Sequence, residues 1–140
     1  MNYIIEHNTL TPEEHMALWE SAGWGTLDCE LVKKSLRNSY ATFAVRDGER
    51  IAAMARLIGD GGMAFFLKDL IVSPDYQGQG IGRELLAHIE DYIRGELKEG
   101  WWSFLQLISA KGKEEFYLKC GYKSHPHESS GAGFTKVIEK

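Results

Sequence analysis

The segment with the clearest chemical potential is Gln77-Gly78-Gln79-Gly80-Ile81-Gly82-Arg83, in which glycines alternate with larger residues between an apolar run and an amphipathic one. Glycine has no Cβ to block backbone approach and accepts positive φ, so several N–H groups of such a turn can converge on one anion. A helix starting here adds unpaired N-terminal amides and the positive end of its dipole, which suits a pyrophosphate. A short glycine pattern can equally serve only to join a strand tightly to a helix, and both readings stand at this point. A P-loop fails, because no lysine followed by a hydroxyl residue sits at the helix opening. A dinucleotide fingerprint fits poorly, since the spacing is G-x-G-x-G and falls in the middle of the chain.

The elements that must position this turn follow from local signals. Ala64 to Val72 is nearly continuous apolar sequence broken only by Lys68 and Asp69, as expected of a strand covered on both faces. Ser73-Pro74-Asp75 ends it. From Gly80 to Leu97 the apolar residues Ile81, Leu85, Ile89 and Ile93, with Leu86 and Leu97 beside them, recur every three or four positions and predict an amphipathic helix. Upstream, residues 3 to 7 read as a short strand, and Thr11-Pro12-Glu13-Glu14 is an N-cap, a first-turn proline and acidic residues for a helix to about Ser21. Ala22-Gly23-Trp24-Gly25 breaks it, and Cys29 to Arg37 resumes helical spacing. Tyr40 to Val45 and Arg50 to Ile58 read as strands joined by the hairpin signal Asp47-Gly48. Downstream, Trp101 to Ile108 reads as a strand, Lys113 to Lys119 as a short helix ended by Cys120-Gly121, and Phe134 to Ile138 as a final strand.

Composition bounds the class. A chain of 140 residues with 44% apolar and 26% charged residues is expected to be one globular domain spanning residues 1–140. The net charge of -4 carries no basic stripe and points away from nucleic acid. Cys29 and Cys120 form no CxxC pair, so no metal or dithiol site is drawn from them, and reduced thiols are expected. The start lacks a signal-peptide pattern and no stretch reaches a membrane span, which makes the cytosol the expected compartment and excludes a membrane partner.

With these elements in order, the sequence resembles the GCN5-related N-acetyltransferase (GNAT) family, whose signature is Gln or Arg, two residues, Gly, one residue, then Gly or Ala. Gln77, Gly80 and Gly82 match it, and Phe116-Tyr117-Leu118-Lys119-Cys120-Gly121-Tyr122 looks like the family's aromatic-Tyr-x-x-x-Gly-aromatic segment. The resemblance covers residues 40 to 123. It implies a mixed α+β fold: a central, twisted, mostly antiparallel sheet that splays between the strands near 64 to 72 and 103 to 108, flanked by about four helices. It implies acetyl coenzyme A as cosubstrate and no metal, with the pyrophosphate on Gln77, Gly78, Gln79, Gly80, Ile81, Gly82 and Arg83. The pantetheine arm would pair with the backbone of Leu70, Ile71 and Val72, a form of sheet-edge recognition that makes little demand on side chains.

The resemblance also implies that Tyr117 is the general acid for the departing thiolate. A phenol of pKa ~10 gives up its proton to a thiolate of pKa ~8.5 only with positioning, so the help is modest. An acceptor amine that arrives protonated needs a base or a water chain, because ammonium has no lone pair. Asp69 is the candidate at the active-site end of the central strand, with Glu115, His125 and His127 behind it. Trp24 falls where the family shapes the acceptor pocket. Where many members carry an Asn that holds the coenzyme's arm, this chain reads Ser109-Ala110-Lys111-Gly112-Lys113, and Lys111 and Lys113 are candidates for the ribose phosphate. No cysteine occupies a defining position of either motif, Cys120 standing only at a variable place of the second, so direct transfer to the primary amine of a small molecule is expected. A noncatalytic acyl coenzyme A sensor is the alternative. Pairing through the last strands would give a homodimer.

Overall fold

The computed structural model describes residues 3–140. One compact unit ends at Leu107, and a second runs from Ile108 to Lys140. The first holds β1 (Ile4–His7), α1 (Pro12–Ser21), α2 (Cys29–Arg37), β2 (Ala41–Asp47), β3 (Arg50–Gly59), β4 (Ala64–Val72), a single 3-10 turn (Pro74–Tyr76), α3 (Ile81–Glu96) and β5 (Phe104–Leu107); the second holds α4 (Glu114–Lys119). The five strands form one sheet in the order β1-β2-β3-β4-β5. All pairs are antiparallel except β4 with β5, which run parallel. This is the mixed, mostly antiparallel architecture that the sequence led us to expect.

Local chemistry sets the ends of the helices. The Thr11 side chain accepts from the Glu14 amide at 3.1 Å while the Glu14 carboxylate accepts from the Thr11 amide at 3.0 Å, closing a reciprocal cap at the start of α1. Asp28 does the same work for α2 by accepting from the Leu31 amide at 3.0 Å. The two helices share one face of the sheet, where Leu10, Leu18, Ala44, Met54 and Ile71 pack with Trp19, Leu36 and Ile51. On β2, Phe43 alternates with Ala44 and therefore faces the other way, against His88 and Tyr92 of α3. The α3 residues Ile81, Leu85, Leu86, Ile89 and Ile93 are buried, as their spacing predicts. Each such side chain contributes roughly 1.5–3 kcal/mol by leaving water, which fixes the helix and with it the turn at its start.

Two expectations need correction. The strand predicted over Trp101–Ile108 narrows to Phe104–Leu107, with Trp101 and Trp102 exposed before it. The strand predicted over Phe134–Ile138 does not form: the segment has neither helix nor strand, and Phe134 and Ile138 are 92% and 82% exposed. Alternation supplies β propensity there, but no neighbouring strand supplies the ladder that turns propensity into structure.

Candidate active site

The site grows out of β4. Its ladder with β5 joins only Ala64–Leu67 to Phe104–Leu107, so from Lys68 to Val72 the edge on that side has no strand partner among the described residues. On the opposite edge Met54 pairs with Ile71 and Ala53 with Val72, and the Ser73 amide donates to Ala52 O at 2.8 Å. Backbone alternation then turns the N–H and C=O of Val72 toward the open edge. There the Gln77 side-chain amide donates to Val72 O at 3.0 Å, tying the signature glutamine to the strand's end. Ile71 is buried in the core beneath α1, so the strand is held firmly while its far edge has no ladder partner among the described residues.

After the 3-10 turn the chain passes through Gly78 at φ 78° and Gly80 at φ 83°, and Gly80 is the N-cap of α3 without any side-chain cap. A Cβ built on either glycine would meet nothing within 4 Å. The glycines are therefore required by backbone conformation and not by protein packing, and the space above the turn is open. The first intrahelical bond of α3 runs from the Glu84 amide to Gly80 O at 3.0 Å, which leaves the amides of Ile81, Gly82 and Arg83 ahead of it without intrahelical acceptors. Uncapped amides, αL glycines and free space fit a phosphate group. Tyr76 anchors the turn from below: it is 5% exposed and its hydroxyl donates to Asp47 Oδ2 at 2.8 Å. Gln79 is held from the side, its Oε1 accepting from the Tyr3 hydroxyl at 2.6 Å.

Asp69 sits at a bulge. Between the pairs Met54↔Ile71 and Arg56↔Lys68, β3 has one residue and β4 has two, and Asp69 takes the left-handed conformation at φ 56°. Such a conformation costs a non-glycine residue of order 1 kcal/mol and is held by its surroundings. Here the holders are His15 of α1, whose Nε2 lies 2.9 Å from Asp69 Oδ2, and Arg56 of β3, whose Nε lies 2.7 Å from the same oxygen. Burial alone pushes the Asp69 carboxyl up, but the hydrogen bond from His15 and the charge and hydrogen bond of Arg56 outweigh it and hold the group below the usual carboxylate range. An ionised Asp69 can only accept, so His15 Nε2 is the donor in this contact. Its Nδ1 is buried without a partner. The rings continue outward: Trp19 stacks on His15 at 5.9 Å, and Trp24, 42% exposed, stands edge-on to Trp19 at 4.9 Å. The Trp19 indole N–H fixes this corner by donating to Trp24 O at 3.1 Å.

Of the predicted site residues, the first unit brings together Asp69, Leu70, Ile71, Val72 and the whole turn from Gln77 to Arg83 on one continuous stretch of chain. Trp24 is linked to Asp69 through Trp19 and His15. Sequence reading missed His15, Trp19 and Arg56, although His15 and Trp19 lie four residues apart on the inner face of α1, a spacing that could have flagged them. In the second unit Tyr117 is half-buried on α4, its ring edge-on to Phe116 at 5.0 Å and to Tyr122 at 6.0 Å. Burial raises its phenol above the ordinary value, with the neighbouring Cys120 adding to the effect, so it keeps its proton at neutral pH. Glu115, Lys111 and Lys113 are exposed, and His125 is engaged with Ser130 Oγ at 2.7 Å.

Residues 38–124 match the family model of the acetyltransferase (GNAT) domain. The chain is 30% identical over 122 residues to an uncharacterized ycf52-like N-acetyltransferase of Prochlorococcus marinus, covering 84% of this chain and 66% of that one. It is 28% identical over 126 residues to the histone acetyltransferase TAP1 of Glycine max, covering 82% of this chain and 53% of that protein, so it spans between half and two thirds of these relatives' lengths. A crystal structure of a probable acetyltransferase of unknown function from methicillin-resistant Staphylococcus aureus superimposes with a TM-score of 0.82 at 30% identity, covering 97% of this chain and 100% of the other.

Proposed function

The chain belongs to the GNAT acetyltransferase family, and from that premise we propose that it is an acetyl coenzyme A-dependent N-acetyltransferase acting directly on the primary amine of a small molecule. The observation that carries this reading is the conjunction of an uncapped, glycine-lined helix start with an open β4 edge a few residues before it. A diphosphate needs the first, and an extended amide-bearing arm needs the second. When bound, the coenzyme supplies an activated acetyl group as a thioester.

The chain's own groups then have distinct tasks. Amides of Gly78 to Arg83 receive the diphosphate, and the Leu70–Val72 edge aligns the arm. The Val72 N–H, turned to that edge, polarises the thioester carbonyl as negative charge develops on its oxygen. Trp24 walls the acceptor side. Asp69 is the carboxylate next to the edge where the amine must approach. Tyr117, protonated at neutral pH, returns a proton to the departing thiolate, a role supported by its place in the aromatic-Tyr-x-x-x-Gly-aromatic segment.

Calorimetry with acetyl coenzyme A, ATP and NAD, paired with amide NMR shifts, tests this. We expect acetyl coenzyme A to bind tightest and to move the signals of residues 78–83. Tighter binding of either nucleotide, or unmoved amides at saturation, would overturn the assignment. Binding without acetylation of any member of an amine panel would instead favour the sensor.

A further inference from the structure

Asp69 is almost entirely enclosed, with its side chain 6% exposed, yet its two oxygens are unequal. Both of its protein donors, His15 Nε2 at 2.9 Å and Arg56 Nε at 2.7 Å, bind Oδ2. Among the described residues none is bonded to Oδ1. The one sealed, unbonded side-chain polar atom among them is His15 Nδ1, so Oδ1 is not fully sealed. An ionised carboxylate accepts about four hydrogen bonds, and here the places on one oxygen remain for a donor from outside. That oxygen belongs to the residue immediately before Leu70, at the start of the strand stretch with no ladder partner, and a wall of rings runs from His15 through Trp19 to Trp24.

Resting on the reading of the chain as an acetyltransferase, we propose that Asp69 Oδ1 is the docking point for the acceptor's ammonium group, with His15 and Arg56 as the positioning residues that hold Oδ2 and aim Oδ1. The chemical class this selects is a cationic aliphatic amine. Arg56 offsets the charge of Asp69 from the Oδ2 side, but Oδ1 is still an acceptor only, so a weakly basic, uncharged aromatic amine gains less there than an ammonium does. The lowered proton affinity of Asp69 agrees with the assignment, because a carboxylate that stays ionised attracts an ammonium without taking its proton. The proton then passes to solvent water before the neutral amine attacks. The bulge has a purpose on this account: the left-handed conformation at Asp69 is what lets one side chain reach both α1 and β3 while keeping one oxygen uncovered.

The test uses two nearly isosteric probes, benzylamine, which is charged at neutral pH, and aniline, which is not. Each is titrated calorimetrically into the protein saturated with coenzyme A, which cannot react. Asp69→Asn keeps the side-chain shape and tolerates the left-handed backbone; it should weaken benzylammonium binding roughly 10- to 100-fold and leave aniline within about twofold. His15→Leu should weaken benzylammonium several-fold, and His15→Gln, which keeps a donor near Nε2, should restore it. In the unmutated protein the Asp69 13Cγ signal should move with benzylammonium and not with aniline, a readout that needs no variant to fold. Equal loss for both probes, no loss for benzylammonium, or a silent Asp69 signal would overturn the proposal. Failure of coenzyme A to bind would sink the acetyltransferase reading instead, and the amine titrations on the free protein would still decide this one.

Discussion

Replacing Gly80 by alanine puts a methyl group where the backbone holds φ 83° and where nothing of the protein lies within 4 Å. The cost to the fold is therefore conformational alone, about 1–2 kcal/mol for an L-residue in the left-handed region. Gly100 supplies the control. It holds φ 85° between α3 and β5, beyond the opposite end of the helix, and its added Cβ also meets nothing within 4 Å, so Gly100→Ala carries a similar backbone cost away from the turn. Both variants should lose comparable urea stability. Only Gly80→Ala should lose acetyl coenzyme A affinity, since its methyl group enters the space above the uncapped amides and displaces a diphosphate from them; the loss of even two anion-directed hydrogen bonds corresponds to more than tenfold in Kd. Denaturation midpoints and calorimetric Kd values separate the two effects, because a Kd measured on folded protein is indifferent to a small change in stability. If Gly80→Ala binds acetyl coenzyme A as tightly as Gly100→Ala does, the turn is not the seat and the reasoning fails.

Tyr117→Phe should slow turnover by about 10²-fold while leaving acetyl coenzyme A affinity unchanged, as single-turnover kinetics and calorimetry can show. His7 and His88 face each other Nε2 to Nε2 at 2.7 Å across β1 and α3, and burial followed by the neighbouring His7 lowers the His88 pKa, with Asp91 opposing. The unfolded chain then takes up the His88 proton first as pH falls through about 6.5, so stability drops below that pH and is unaffected by His88 above it; His88→Gln should flatten the urea midpoint between pH 7.5 and 5.5. Thr11→Ala removes the accepting hydroxyl of the α1 cap and should cost about 1 kcal/mol in chemical denaturation without changing acetyl coenzyme A affinity.

What the sequence disclosed was whatever local spacing encodes. The apolar run of β4 and the helical repeat of α2 gave their bounds directly, because burial writes a pattern into the chain, whereas the hairpin signal at Asp47-Gly48 placed the turn but ended its first strand at Val45, two residues short of Asp47. The glycine turn was legible because positive φ leaves few residue choices. The clamp on Asp69 was not. It joins residues 54 apart, and nothing in a run such as Leu67-Lys68-Asp69-Leu70 announces a bulge or names its partner in α1. The Phe134–Ile138 segment failed for the complementary reason: it carries the alternation of a strand, but pairing is a property of two segments and only one was visible.

An edge left bare to receive an extended ligand is equally bare to a stray strand of another molecule, and natural sheets guard such places with charge. Lys68 stands at the start of the unladdered stretch of β4, its ammonium 5.8 Å above the Phe66 ring. In that position it is a gatekeeper, and an extended ligand of the kind proposed, lying along Leu70–Val72, would complete the protection and act as a shield against aggregation.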